Sequence, residues 1–367
     1  PEPHRWLVTM RSGGISKDTW VIGDGSLDTY YESRRQQQPI VIRPARPPSG
    51  VPSRVADHLY WLGRYAERLE ITVRVLRAVM QRLAGERTQT QGREVQGCLA
   101  LMVRMGLVPK EGTISMIDNL QALLLDPKRE SSVPFLLSRL RYNAAAARDR
   151  LSDDTWRLFN RIERDARLPA GPFVVSTAQG VLDTLILDLA AFSGMQQENM
   201  TRGHGWRFLE IGKRIERASI ILDLVTTATK QCAQDDTLLS PLLEICDSTM
   251  TYRRLHFTQP SLIPVLDLLL LNDINPRSVA HQFSILSRQT KKLPMDPSAD
   301  RGESARQQCD SLQSDLAALN LDALAKAGDD IFGHVPTACE NLSHGLEKLS
   351  NLITEHFFSH ASRRAEG

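Results

Sequence analysis

Leu62-Gly-Arg-Tyr-Ala-Glu-Arg-Leu-Glu-Ile-Thr-Val-Arg-Val-Leu76 returns in altered form as Ile211-Gly-Lys-Arg-Ile-Glu-Arg-Ala-Ser-Ile-Ile-Leu-Asp-Leu-Val225. Gly63, Glu67 and Arg68 align with Gly212, Glu216 and Arg217, and Arg64 aligns with Lys213. A second echo keeps nearly the same spacing. Leu123-Leu-Leu-Asp-Pro127 leading to Ser132-Val133 matches Leu269-Leu-Leu-Asn-Asp273 leading to Pro276-Arg-Ser278-Val279. Two matches at one spacing predict a duplicated helical unit of roughly 147 residues, far longer than solenoid repeats.

Working outward, the first copy sits in a proline-free run after Ser53, which predicts a helix from about Arg54 to Arg82 with Ser53 as its N-cap. Apolar residues fall on more than one face of it, as in a helix buried on several sides. Further helices are expected near 93–105, 113–125, 132–149, 153–167 and 173–197, then 203–230, 237–255, 260–271, 277–291, 302–325 and 336–359. Nothing after residue 53 alternates as strands do. The predicted fold class is all-α: two related helical bundles, one over residues 53–200 and one over 201–360.

Upstream the composition changes. Seven of the 19 prolines lie within residues 1–52. Residues 1–40 carry short strand-like runs, Arg5–Met10 and Thr19–Ile22, around Ser12-Gly-Gly14, and read as an irregular or β-containing tail. Residues 41–52 form a proline-rich, extended linker.

Composition narrows the function classes. With 367 residues the chain can bury a sizeable core, and a net charge of +2 gives no general argument for nucleic acid or an anionic membrane. Five scattered cysteines, without a CxxC pair, suit a reduced, cytoplasmic protein. No apolar run approaches the ~20 residues that span a bilayer. The chain starts at Pro1, which suits an excised or processed chain.

The doubled motif admits three readings. In the first, Glu67 pairs with Arg217 and Glu216 with Arg68 around a pseudo-twofold axis, because guanidinium and carboxylate meet through two parallel hydrogen bonds. In the second, an arginine-lined cleft grips a phosphate or carboxylate, with Arg54, Arg64, Arg202, Arg207 and Arg214 in reach. In the third, Glu67 or Glu216 acts as a general acid or base. Gly63 and Gly212 cost each helix about 1 kcal/mol against alanine, which points to a close backbone approach. Tyr60, Trp61 and Trp206 are expected at the same crossings with their polar atoms bonded. His58 and His204 read as structural, and the His356/His360 spacing falls short of a metal signature. Ser12–Lys17 lacks the spacing of a phosphate-binding loop.

Ser53-Arg-Val-Ala-Asp-His-Leu-Tyr-Trp-Leu-Gly-Arg-Tyr-Ala-Glu-Arg-Leu-Glu70 resembles the opening signature of the bacterial alpha-E domain. Glu198-Asn-Met-Thr-Arg-Gly-His-Gly-Trp-Arg-Phe-Leu-Glu-Ile-Gly-Lys-Arg-Ile-Glu-Arg217 resembles its central signature. Arg141–Trp156 and Asn275–Val279 are similar to two more family stretches. Lys213 departs from the usual arginine and Asp57 from the usual glutamate. Ser12-Gly-Gly-Ile-Ser-Lys-Asp-Thr-Trp20 is similar to the closing segment of circularly permuted ATP-grasp proteins, which accompany alpha-E domains, often in one polypeptide.

The resemblance implies an ATP-dependent amide- or peptide-bond-forming system, in which a carboxylate is phosphorylated and an amine displaces the phosphate. It implies ATP and magnesium for the ATP-grasp partner and no cofactor for this fragment. The alpha-E module would then bind or position an acceptor or product, a peptide or amino-acid-like ligand. The alternative is a non-catalytic helical scaffold for the ligase system.

Overall fold

The computed structural model describes residues 50–84, 89–110, 115–294, 304–326 and 331–358. The tail, most of the linker, residues 295–303 and His360 lie outside the described residues, and so do the readings made on them. Among the described residues the protein is all-helical.

Two long helices form the centre. α1 runs Ser53–Ala84; α2 (Gln89–Arg104), α3 (Met116–Leu125), α4 (Val133–Ala146), α5 (Asp153–Asp165) and α6 (Val175–Asn199) follow it. The second centre is α7, His204–Cys232. It is followed by α8 (Leu239–Ile245), α9 (Thr249–His256), α10 (Leu262–Leu266, continued by a π turn over Asp267–Leu271), α11 (Val279–Thr290), α12 (Ala305–Ala317), α13 (Leu321–Lys326) and α14 (Ile331–Ile353, ending in a π turn over Thr354–Phe358). α1 packs against α7, α4, α6 and α2, and α7 packs against α1, α11, α14 and α2. Being enclosed on all sides, the middle of α1 is buried without a break from Leu69 to Leu76, charged residues included.

α1 and α7 lie side by side and point the same way: Leu59 meets Gly205, Tyr60 meets Gly212, and Glu67 meets Arg217. Their backbones touch at the two glycines. A Cβ on Gly63 would lie 2.1 Å from the Leu209 carbonyl oxygen, and one on Gly212 would lie 2.1 Å from that of Tyr60. These contacts are reciprocal, because Tyr60 and Leu209 occupy equivalent positions in the two motifs, as do the glycines.

The same reciprocity reaches the surrounding helices. Ser132 caps α4 by accepting from Phe135 N–H, and Ser278 caps α11 by accepting from His281 N–H. His58 on α1 meets Asn143 on α4 at 3.0 Å, and Arg207 on α7 meets Gln289 on α11 at 2.8 Å. Arg64 donates to Ser350 on α14, and Lys213 donates to Ser193 on α6.

Local differences from the sequence expectations have physical reasons. Pro52, not Ser53, takes the cap position of α1, where its carbonyl accepts from Ala56 N–H. The helix expected over 237–255 breaks into α8 and α9 at Asp247, whose φ is 52°. That turn aims its carboxylate at Arg74, 3.0 Å away. The helix expected over 277–291 starts at Val279 behind its Ser278 cap. α14 begins at Ile331, before Pro336, which forgoes only the one hydrogen bond its position would donate.

Among the described residues one helix, α6, is long and apolar enough to cross a membrane by length and composition, although Asp183 and Asp188 interrupt its apolar run. In this fold it buries Leu182, Leu185, Leu189 and Phe192 in the core, and its buried Asp188 pairs with Arg161. A largely apolar groove of about 460 Å³ lies between α3, α4 and α5, lined by Leu124, Leu137 and Phe159.

Candidate functional site

The charges of the doubled motif meet where α1 and α7 cross. Arg217 donates from Nε and Nη2 to the two oxygens of Glu67, at 2.6 and 2.7 Å. Lys213 Nζ stands 3.7 Å from the same carboxylate. On the other face Arg64 and Arg68 each donate through Nε to a different oxygen of Glu216, at 2.7 and 2.6 Å. Both glutamates are buried, with every oxygen engaged by a guanidinium. Burial opposes ionisation of Glu216, but Arg64 and Arg68 outweigh it and hold that carboxyl below the usual range. A carboxylate so occupied is poorly placed to take a proton from a substrate.

The Glu67 side extends into a cluster that is buried except at its outer carboxylate, Asp247. Arg277 donates to Glu70 at 2.7 Å, Arg74 donates to Glu70 at 3.1 Å and to Asp247 at 3.0 Å, and Arg217 lies 3.8 Å from Glu70. Burial disfavours the Glu70 anion, yet Arg277, Arg217 and Arg74 together hold its pKa far below the usual value. Replacing water around so many charges is costly, so the cluster's larger effect is on register, which few other arrangements of α1 and α7 would satisfy. Lys213 shows the cost: burial outweighs Glu67 and brings its pKa down to about 8.

The Glu216 side stays open. Arg64, Arg68, Thr72, Arg104, Glu130, Ser131, Glu216, Ser219 and Asp223 line a cleft of about 420 Å³, inside the roughly 300–1,000 Å³ range of small-ligand sites. Arg68 is 39% exposed, whereas its counterpart Arg217 is 7% exposed. Arg104 donates twice to Asp223 Oδ1, at 2.8 and 2.6 Å. Thr72 is fully buried, and its hydroxyl has no hydrogen-bond partner.

The arginines expected around one anion site are dispersed, because each finds a nearer acceptor. Arg54 is exposed on the first turn of α1. Arg202 bonds the Gln196 and Gln197 carbonyls at the end of α6 and lies over the Trp206 ring, 4.3 Å from its centroid. Arg207 bonds Gln289, and Arg214 is held by Glu210 and Gln282. Of that set only Arg64 lines the cleft, where Arg68 of the doubled motif joins it. Tyr60 bonds Ser350 as expected of a buried phenol, but the buried Trp206 Nε1 has no partner. His58 is bonded to Asn143.

Sequence reasoning missed Glu70, Arg277, Arg104 and Asp223. Arg74 four residues after Glu70 was a visible helix-spacing signal. Arg104 and Asp223 come from distant segments and left none.

Residues 51–358 match the Alpha-E family, described as a predicted alpha-helical domain with a conserved ER motif. The chain belongs to the Alpha-E family. Glu67-Arg68 and Glu216-Arg217 are the two Glu-Arg pairs that cross at its centre. The chain is also 29% identical over 294 residues to uncharacterized proteins of Mycobacterium bovis and Mycobacterium tuberculosis. That match covers 72% of the chain and 33% of each relative, so the Alpha-E chain spans about a third of their length. No solved structure matches it.

Proposed function

We propose that this Alpha-E body is the binding module of an ATP-dependent amide-forming system, receiving the carboxylate of an acceptor or product in the cleft beside Glu216. The observation that carries this reading is Arg68. Its guanidinium engages Glu216 through Nε alone and stays half exposed in the cleft, so a planar carboxylate can still reach its outer nitrogens. The likeness of Ser12–Trp20 to circularly permuted ATP-grasp proteins supports a ligase of that kind as partner, and ATP and magnesium belong to that ligase. Five cysteines without a disulfide support a cytoplasmic setting.

We further infer that the two halves, 53–200 and 201–360, descend from one duplicated unit. Reciprocal glycine contacts, ion pairs and serine caps support this, since each joins equivalent positions at nearly one spacing.

The test supplies the full chain to its ATP-grasp ligase and follows ADP release with increasing acceptor. Arg68→Met should raise the acceptor KM at least tenfold with little change in kcat. An unchanged KM refutes the binding reading. A scaffold reading has its own observation in the sealed Glu67–Arg217 cluster. It predicts turnover that falls when the chain is omitted and ignores Arg68→Met.

A further inference from the structure

Equivalent positions explain why one half is sealed and the other open. In the sealed half Arg277, the residue just before the Ser278 cap, bonds Glu70. The equivalent of Arg277 is Ser131, just before the Ser132 cap, and the equivalent of Glu70 is Ser219. Both serines line the cleft. A guanidinium–carboxylate pair in one half is thus replaced in the other by two short hydroxyls and open space. Nearby the polarity is inverted: the position of Arg74, which bonds Asp247, is taken in the other half by Asp223, which accepts from Arg104.

We propose that the cleft binds a zwitterion of the amino-acid or short-peptide kind, its carboxylate on Arg68 and Ser219 and its ammonium on Asp223 and Glu130. This rests on the cleft reading above and adds the ligand's charge pattern. The ligand carboxylate takes the place that Glu70 holds beside Arg217 in the sealed half. Asp223 uses only Oδ1 for Arg104 and leaves Oδ2 for the ammonium. Burial pushes the Asp223 carboxyl up despite Arg104, as for a carboxylate short of positive neighbours. The unpartnered Thr72 hydroxyl adds a buried polar group in the cleft wall. Arg64, Arg68 and Arg104 are matched by Glu130, Glu216 and Asp223 in the lining, so the wall has no surplus charge to favour a dianion such as phosphate.

Isothermal titration of the full chain with L-alanyl-L-alanine, its N-acetyl form, its C-terminal amide and inorganic phosphate tests both levels. The free dipeptide should bind, and blocking either end should weaken binding at least tenfold. Ser219→Glu plants a carboxylate where Glu70 lies in the sealed half and should abolish binding, with some loss of melting temperature because Asp223, four residues on, stands where Arg74 supports Glu70. Ser131→Arg, which fills the place of Arg277, should also block it and serves as the second variant if the first fails to fold. If blocked forms or phosphate bind as well as the dipeptide, and both variants abolish all of it, the zwitterion inference falls and the cleft reading stands. If no probe binds, or binding survives both variants, the cleft reading falls and this inference with it.

Discussion

Gly63→Ala measures how closely α1 and α7 are locked. The new Cβ would sit 2.1 Å from Leu209 O and 2.9 Å from Lys213 N, and both neighbours are backbone that no rotamer change can move. A carbon needs roughly 3.3 Å from an oxygen, so the helices must part by about 1 Å. Overpacking of this kind costs about 1–3 kcal/mol, and here it also stretches the Glu67–Arg217 and Glu216–Arg68 bonds. Alanine returns about 1 kcal/mol of helix preference, leaving a net packing loss of up to about 2 kcal/mol, to which the stretched ion pairs add. Gly194→Ala is the control. It lies inside α6 with nothing within 4 Å of its Cβ position and should gain about 1 kcal/mol. Urea unfolding followed by circular dichroism reads both. A Gly63→Ala protein as stable as the parent, or one that moves with Gly194→Ala, refutes the close-contact argument.

Other outcomes follow from the charge network and the caps. Glu67→Gln should destabilise the fold by about 3–5 kcal/mol in the same assay, because it strands Arg217 and Lys213 without their anion. Exchanging Glu67 and Arg217 should not restore stability. The swap puts an arginine beside Lys213, now 3.7 Å from Glu67, and a glutamate beside Glu70, now 3.8 Å from Arg217. Lys213 has a lowered folded pKa, so between pH 8 and about 10.4 the unfolded chain holds a proton the native one has released, and this group's contribution to stability rises with pH. Buried thiols act in the opposite sense, so the readout is the stability difference between Lys213→Met and the parent; it should shift toward the parent by up to ~3 kcal/mol from pH 7 to 10. A flat difference would mean that Lys213 is not desolvated. Ser132→Ala and Ser278→Ala should each cost about 1 kcal/mol and add in the double variant, since they cap separate helices.

The long central helices were readable because their apolar residues surround the axis and no proline interrupts them. Ser132 was readable as a cap for a local reason: a serine oxygen satisfies a free amide at a helix start. The cross-pairing of Glu67 and Glu216 came from aligning the motif with itself, which supplies long-range information that a single helix lacks. The break at Asp247 was not readable, since the partners of its carboxylate, Arg74 and Arg277, come from distant segments. The cleft was hidden for a related reason. It depends on what Ser131 and Ser219 leave unfilled, and short hydroxyls carry no pattern in a sequence. Arg202, Arg207 and Arg214 misled because arginine density says nothing about which acceptor stands nearest.

The parallel pairing of α1 and α7 has a consequence for stoichiometry. On the duplication proposed above, two copies of one unit joined this way would make a self-complementary interface of the kind found in symmetric dimers. A free dimer of such units would have two identical faces, both open or both closed. On the same proposal, joining the units in one polypeptide would let each face change alone; in this chain Arg277 bonds Glu70 on one face while Ser131 and Ser219 line the cleft on the other. On the proposed cleft reading the chain would take up one ligand per molecule, with one of its two related faces committed to rigidity and the other to recognition.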